Sequence, residues 1–351
     1  MKAYRLFTDG MRFDEVPVPV ARDGGVLLRV AGAGACHSDL TVEALAAGGK
    51  LPWPMPFTLG HEITGWLETP VAGFAAGAAV AVYSAWGCGA CNQCRAGSDN
   101  YCERPERLFG PGLGRDGAMA PYVSVPDARY LVPLGDLDPL DAAPLSDAGV
   151  TPYHAIKRAL PLLVPGAAAL AIGIGGLGHM AIQILRALAP VRVIALDASE
   201  EKLRLARDLG ADATVLAGDD AAARVREANG GRPVDAVFDF VGETSTMDVA
   251  RKSVRSGGEI ALVGLGGGTL PMRQGALPYG VRVSITFYGS IEDLRETIAL
   301  AQAGRISARV TRYPLDRADE AFAALRDGTL EGRAVVCPNS SSFGAPPLKQ
   351  A

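Results

Sequence analysis

The chain has 351 residues, 48% of them hydrophobic and 21% charged, with 43 glycines and a formal net charge of −4. This composition excludes a disordered chain, and at ~150 residues per domain the length suits about two domains. The acidic balance, without a block of five or more like charges, argues against nucleic acid or an acidic membrane surface as partner, because both call for a basic patch.

Taken in chain order, the opening MKAYRLFTDG lacks the apolar run of an export signal. Residues 1–146 read as an irregular, β-rich region in which apolar stretches such as Gly25–Val30 and Ala79–Tyr83 are broken by Gly and Pro turns. The run Leu51–Phe57, LPWPMPF, is too rich in proline for regular structure. From about Asp147 strands alternate with amphipathic helices. The strands are expected at Ala168–Ile172, Arg192–Leu196, Ala213–Leu216, Asp235–Phe240, Glu259–Val263 and Val283–Tyr288, and one helix at Ser199–Leu209. Crossover helices between six strands predict an α/β fold with a doubly wound parallel sheet. Ala159–Leu185 carries no Asp, Glu, Lys or Arg and is long enough to span a bilayer. Its two prolines, five glycines and His179 make it a strand, turn and helix instead. From Ile291 onward, two helical patterns and a strand at Arg333–Cys337 are expected to return to the first region, and the tail SSSFGAPPLKQA reads as a mobile end.

The strand at Ala168–Ile172 runs into Gly173-Ile174-Gly175-Gly176-Leu177-Gly178 and then a helix, the G-x-G-x-x-G turn in its required setting. Gly173 permits the tight turn, Gly175 lets backbone approach a pyrophosphate, and Gly178 lets helix and strand pack closely. The next strand ends at Asp197, nineteen residues after Gly178. A carboxylate there holds ribose hydroxyls and repels a 2′-phosphate. Ala198 and Ser199 do not supply the arginine an NADP site wants, so the motif predicts NAD.

Four of the six cysteines fall within fifteen residues as Cys88-x2-Cys91-x2-Cys94-x7-Cys102. In a reducing cytoplasm such a cluster means metal rather than disulfides. Four thiolates close a tetrahedral Zn²⁺ shell, a structural site, with an iron–sulfur cluster as the rival. The residual charge calls for backbone N–H groups and Arg95 or Arg104 nearby. Cys36-His37-Ser38-Asp39 and Gly60-His61-Glu62 offer further metal-type side chains, and their spacing alone leaves a metal site and isolated structural residues both open. Cys337 reads as a buried thiol.

In order, the motifs CHSD, GHE-x2-G, the four-cysteine lobe, the APL-x-DAG-x-TPYHA segment (143–155), GxGGxG and the strand-end Asp resemble the zinc-dependent medium-chain alcohol dehydrogenases, from Met1 to about Pro338. Agreement is closest with bacterial NAD-dependent secondary-alcohol dehydrogenases, notably in WGCGAC (Trp86–Cys91) and PLSDAGVTPYHAI (Pro144–Ile156). The resemblance implies a GroES-like catalytic domain at 1–148 and 290–351, with a structural zinc lobe at 86–104, and a Rossmann NAD-binding domain at 149–289. It implies two zincs per chain. Cys36, His61 and Asp147 would hold the catalytic one with the fourth position left to water or substrate, Glu62 would stand near it and approach it during ligand exchange, and Asp39 would fix His61 through its other ring nitrogen. Asp147 stands where many relatives have Cys, which preserves the charge of the set and hardens it.

The resemblance further implies that His37 and the Gly173–Gly178 turn meet the pyrophosphate, that Asp197 and Lys202 hold the ribose, and that Thr151 and Leu265 lie near the nicotinamide. Thr41, Trp53, Trp86, Leu113 and Tyr288 would line the substrate pocket. None of these is charged, so a neutral, fairly apolar alcohol or ketone is expected. The implied reaction is reversible hydride transfer between that substrate and NAD, with Ser38 as first proton acceptor. Three departures stand out. Thr41 occupies the place of a relay histidine, Ala78 replaces an Asp of the family's turn, and the segment between Gly65 and Gly73 is shorter. A homodimer or homotetramer pairing along Val283–Tyr288, a cytoplasmic location, and no membrane or nucleic-acid partner complete the implied picture. The competing readings are a zinc-free quinone or enone reductase of the same fold and a non-enzymatic dinucleotide-binding regulator.

Overall fold

The computed structural model describes residues 1–21, 24–71 and 73–340, so the expectation for residues 341–351 lies outside the described residues. The chain divides into two compact units. One comprises Met1–Ala148, Ser290–Gln302 and Ala308–Ala351, the other Gly149–Gly289 and Ala303–Ser307.

The first unit opens with β1 (Lys2–Phe7), β2 (Gly10–Glu15), β3 (Val26–Ala35), α1 (His37–Ala47), β4 (Phe57–Thr58), β5 (Glu62–Leu67), β6 (Ala79–Val82), α2 (Asn92–Arg95), α3 (Pro105–Leu108), β7 (Tyr122–Val125), β8 (Leu131–Pro133) and α4 (Pro139–Ala142). The second holds α5 (Val150–Ala159), β9 (Ala168–Ile172), α6 (Gly178–Leu188), β10 (Arg192–Asp197), α7 (Glu200–Asp208), β11 (Ala213–Leu216), α8 (Ala221–Ala228), β12 (Val234–Asp239), α9 (Thr244–Ser253), β13 (Val254–Leu262) and β14 (Arg282–Ile285). The chain closes with α10 (Ile291–Gln302), β15 (Val310–Pro314), α11 (Ala318–Arg326) and β16 (Arg333–Cys337).

In the first unit β15, β16, β3, β5, β6 and β8 form a sheet in that order, with β7 also paired to β3, and β2, β1 and β4 form a smaller one. Strand β3 ends in VAGAGA, small residues that let its neighbours approach closely, and it pairs antiparallel with both β5 and β16. Helix α1 was not foreseen in this β-rich region. Its start is fixed by a local device: Asp39 Oδ2 accepts from the Cys36 N–H at 2.9 Å, and Cys36 Sγ accepts from the Ser38 N–H at 3.5 Å. This satisfies N–H groups that a helix start leaves unpaired.

The second unit is a parallel sheet ordered β11-β10-β9-β12-β13-β14. Its core is apolar: Leu170, Ile172, Ile194, Leu196, Val237 and Ile260 are buried together, at about 1.5–3 kcal/mol for each large side chain. The order reverses between β9 and β12, and crevices for ligands open at the carboxyl ends of strands at such a point. The charge-free run from Ala159 resolves into the end of α5, β9 and α6, and among the described residues no helix is long and apolar enough to cross a membrane.

Several element ends differ from the sequence reading by one residue, as in β10, β12 and α7, and three differences are larger. Strand β13 starts at Val254 rather than Glu259, with an irregular register between Val234 and Ala236 on β12. Strand β14 stops at Ile285 rather than Tyr288, and Tyr288 adopts a φ of 53°, outside strand geometry. Residues Ala303–Ser307 group with the second unit, because the Gln183 side chain donates to the Ser307 carbonyl at 2.9 Å and accepts from its N–H at 3.0 Å.

Candidate metal and nucleotide sites

Two strands and a turn of the first unit bring one cluster together. Cys36 caps α1 where β3 ends, His61 and Glu62 sit at the start of β5, and Asp147 follows the helical turn Ala143–Ser146. The turn is tied to β5 by Ser146 Oγ, which accepts from the Ile63 N–H at 2.9 Å. His61 is anchored through its carbonyl, which accepts from Ser84 Oγ at 2.7 Å. Donor atoms of Cys36, His61, Glu62 and Asp147 all lie within 4.8 Å of one another, and all four residues are buried. Cys36 Sγ stands 3.6 Å and His61 Nε2 3.8 Å from Asp147 Oδ2. Sulfur, imidazole and carboxylate on one small volume is the donor set Zn²⁺ takes, so these residues fit a zinc ion. On the other side of the ring His61 Nδ1 faces Asp39 Oδ1 at 3.2 Å, which aims Nε2 into the cluster.

The sequence reading missed Arg333, the first residue of β16. It is 2% exposed. Its Nε donates to Glu62 Oε1 at 2.9 Å, and its Nη2 reaches Cys36 Sγ at 3.4 Å and Asp147 Oδ2 at 3.3 Å. The available signal was an arginine heading an otherwise apolar strand, RAVVC, every residue of which is buried. A lone arginine at a strand end usually snorkels to water; this one is paired instead.

The electrostatics follow from burial and proximity. Burial disfavours the His61 cation, but the Asp39 charge and hydrogen bonds to Asp147, Asp39 and Cys36 outweigh it and lift the pKa well above 6.5. Burial likewise opposes the Asp147 charge, and His61 and Arg333 outweigh it and hold the carboxyl below its usual range. Burial opposes the Arg333 cation, which the charges of Cys36, Glu62 and Asp147 stabilise in turn. Burial lifts the Glu62 carboxyl against the pull of Arg333. One consequence is measurable. Below the raised His61 pKa a metal must displace one proton from the ring, so apparent metal affinity of this cluster should fall by up to about tenfold per unit as pH drops below that pKa. Competitive chelator titrations across that range check it, and an affinity independent of pH would refute it.

The four-cysteine lobe forms a second cluster, again with every sulfur within 4.8 Å of the others. Cys88 and Cys94 sulfurs are 3.9 Å apart, and those of Cys91 and Cys102 are 4.0 Å apart. Four sulfurs around a tetrahedral Zn²⁺ at ~2.3 Å would stand about 3.8 Å apart, so the lobe fits a closed zinc site. The charge is offset by backbone. Cys88 Sγ accepts from the Ala90 and Cys91 N–H groups at 3.4 and 3.3 Å, Cys91 Sγ from Cys94 at 3.5 Å, and Cys102 Sγ from Arg104 at 3.4 Å. The Ala90 and Cys91 donors lower the Cys88 pKa to about 6. Arg104 thus contributes its main-chain N–H.

In the second unit the glycine turn is tied to the end of β10. Asp197 Oδ2 accepts from the Ile174 N–H at 2.6 Å and Oδ1 from the Ser199 N–H at 2.9 Å. Gly173 has a φ of 86°, and a Cβ on Gly178 would lie 1.9 Å from the Gly173 carbonyl oxygen, so both positions need glycine. Gly175, Gly176 and Leu177 are half-buried on this turn. Lys202 lies half-buried in the first turn of α7, its N–H bonded to Ser199 Oγ. Thr151 is buried in the first turn of α5, Tyr288 is buried, and Leu265 is 65% exposed beyond β13.

The remaining expected residues of the first unit are spread over separate surroundings. His37 is exposed at the start of α1, where Ser38 Oγ stands 3.5 Å from Cys36 Sγ. Thr41 donates its hydroxyl to the His37 carbonyl at 3.2 Å. Trp53 meets Phe57 and Phe109 edge-on at 6.2 and 4.9 Å between ring centres, whereas Trp86 stacks on Tyr130 at 5.6 Å. Leu113 is half-buried.

Comparison with known proteins finds two family matches along the chain. The alcohol dehydrogenase GroES-like domain family matches residues 22–136, and the zinc-binding dehydrogenase family matches residues 176–303. The NAD-dependent alcohol dehydrogenase of Sulfurisphaera tokodaii is 34% identical over 96% of this chain and 100% of its own length. The D-arabinose 1-dehydrogenase (NADP(+)) of Saccharolobus solfataricus is 32% identical over 95% of this chain and 96% of its own. The crystal structure of the alcohol dehydrogenase of the archaeon Aeropyrum pernix superposes with a TM-score of 0.88 at 36% identity, covering 96% of this chain and 100% of that one. With full-length similarity of this order and both metal-type clusters formed, the chain belongs to the zinc-dependent medium-chain alcohol dehydrogenase family.

Proposed function

We propose that this chain is an NAD-dependent alcohol dehydrogenase acting on a neutral, fairly apolar secondary alcohol and its ketone. The observation that carries this reading is the buried Cys36–His61–Asp147 cluster with Asp39 behind the imidazole. Bound zinc would supply a Lewis acid that stabilises negative charge on the reacting oxygen, and NAD would supply the hydride acceptor. Asp39 holds the His61 ring in one orientation, and Arg333 donates to Cys36 Sγ and Asp147 Oδ2 and offsets the Asp147 charge. Ser38, beside Cys36 and half-exposed, takes the substrate proton. Thr41 has no basic group, so the proton leaves Ser38 through water. The uncharged Trp53, Trp86, Leu113 and Tyr288 favour an apolar substrate. The Cys88–Cys102 lobe is the structural zinc site, and the grouping of cysteines for metal suits a reducing compartment such as the cytoplasm.

Asp197 supports NAD over NADP. Its carboxylate is held in place by two main-chain N–H groups, where it would repel a 2′-phosphate. Asp197→Ala is expected to raise the KM for NAD by about tenfold or more and to narrow the preference over NADP, since a hydrogen bond to a charged group is worth about 1.5–3 kcal/mol. Steady-state kinetics with both cofactors decide it, and an unchanged cofactor ratio would count against the assignment.

The chain assembles as a homodimer or homotetramer, with β14 as the pairing edge. That strand ends the parallel sheet, and Ile285 on it is 81% exposed. Sedimentation of the wild type and of Ile285→Lys tests this.

The functional reading is tested by metal content together with an NAD-linked screen of secondary alcohols, primary alcohols and aldehydes. Two zincs per chain and oxidation of secondary alcohols are expected. Activity confined to primary alcohols would remove the substrate class. A single zinc per chain would favour a quinone or enone reductase of the same fold that lacks the catalytic zinc.

A further inference from the structure

Position 34 has a task that depends on the lack of a side chain. Gly34 lies within β3, paired with Glu62 of β5 on one side and Val335 of β16 on the other. Its backbone is ordinary strand, so conformational freedom does not call for glycine there; space does. A Cβ at this position would stand 1.8 Å from Glu62 Oε2, 2.6 Å from its Cδ and 2.8 Å from its Cβ. The space is occupied by the Glu62 side chain on its way across β3. Beyond Gly34 its carboxyl meets Arg333, whose Nε lies 2.9 Å from Oε1 and 3.2 Å from Oε2. Arg333 cannot follow a displaced carboxyl freely, because its Nη2 is also held by Cys36 Sγ at 3.4 Å and Asp147 Oδ2 at 3.3 Å.

Glu62 belongs to the same cluster of donor atoms as Cys36, His61 and Asp147. A zinc centre with three protein ligands stays open to substrate, and a fourth protein ligand closes it. We propose that Gly34 is a positioning residue: the slot it leaves lets Arg333 hold Glu62, which keeps the Cys36–His61–Asp147 centre at three ligands with one position free. The proposal rests on the reading of that cluster as the catalytic metal centre. An alanine at 34 pushes the carboxyl off the guanidinium, and the metal is the cation left to receive it.

Imidazole titrated into the Co²⁺-loaded full-length chain reads the free position through the visible absorption of cobalt, without alcohol, NAD or turnover. Wild type is expected to take imidazole. Gly34→Ala is expected to keep both metals and bind imidazole roughly tenfold to a hundredfold more weakly, the usual scale for groups behind metal ligands. The double variant Gly34→Ala with Glu62→Gln is expected to regain binding, because a neutral amide competes poorly for the metal. Arg333→Lys leaves the slot intact but replaces the fork with a single ammonium, and a smaller loss in the same direction is expected. Wild-type imidazole affinity in Gly34→Ala, or no recovery in the double variant, overturns the proposal. Should Gly34→Ala not fold, Arg333→Lys decides alone, and unchanged affinity there overturns it. A wild type that loads only the lobe metal overturns both this proposal and the functional reading. An active wild type with an unaffected Gly34→Ala overturns this proposal only.

Discussion

His61→Ala is expected to lower kcat/KM for alcohol oxidation by about 10³-fold or more. The metal's stabilisation of charge on the reacting oxygen is worth several kcal/mol, and each ~1.4 kcal/mol is a factor of ten in rate. The imidazole is the one neutral donor of the set. Removing it leaves only Cys36 and Asp147, 3.6 Å apart and beside Arg333, to hold the ion. It also leaves Asp39, a buried carboxyl, without the ring it faces. Metal content should fall from two per chain to one, with the lobe metal retained as proof that the unit is folded. Activity within tenfold of wild type would show that the cluster does not carry the chemistry.

Cys91→Ser is expected to have the largest effect on local structure. The lobe buries little apolar surface: α2 contains no buried residue, Cys88, Cys91 and Cys94 are only half-buried, and Trp86 and Cys102 at its two ends are buried. Its order comes from sulfurs gathered around one point and from main-chain N–H groups aimed at them. Without metal, burial keeps the Cys94 and Cys102 thiols protonated, and the sulfurs lose the ion that gathers them. A structural zinc site of this kind supplies folding energy directly. The variant should lose one metal and be cut by protease within residues 86–104 at least about tenfold faster, while the parallel-sheet unit stays protected. Cleavage at the wild-type rate would assign the lobe's order to something other than metal.

The second unit was largely legible in the sequence because its signals are local. Buried parallel strands read as apolar runs, and β9 is found at the residues expected. The errors there sit at strand ends, where local preference yields to pairing, as at Val254 and Ile285. The first unit was harder. Its strands are short and Gly-interrupted, and the helix after Cys36 depends on a reciprocal cap rather than on an apolar period. The four-cysteine spacing is confined to one loop and so was visible. The Cys36–His61–Asp147 grouping was suggested by resemblance, since spacing alone could not join residues from three parts of the chain. The arginine heading β16 hinted at Arg333, but its partners could not be read: it lies 271 residues from Glu62, and only the pairing of β16 with β3 brings them together.

That separation bears on how the molecule matures. The four thiols of the lobe emerge within one short stretch of nascent polypeptide and can capture an ion early. The other centre is complete only once β16 has docked on β3, because its guanidinium partner arrives with that strand. Closing so long a loop is slow compared with local contacts. On refolding from denaturant, cobalt uptake should therefore be biphasic, the all-sulfur spectrum rising before the mixed-donor one; simultaneous uptake would show that the two ions are acquired in a single cooperative event.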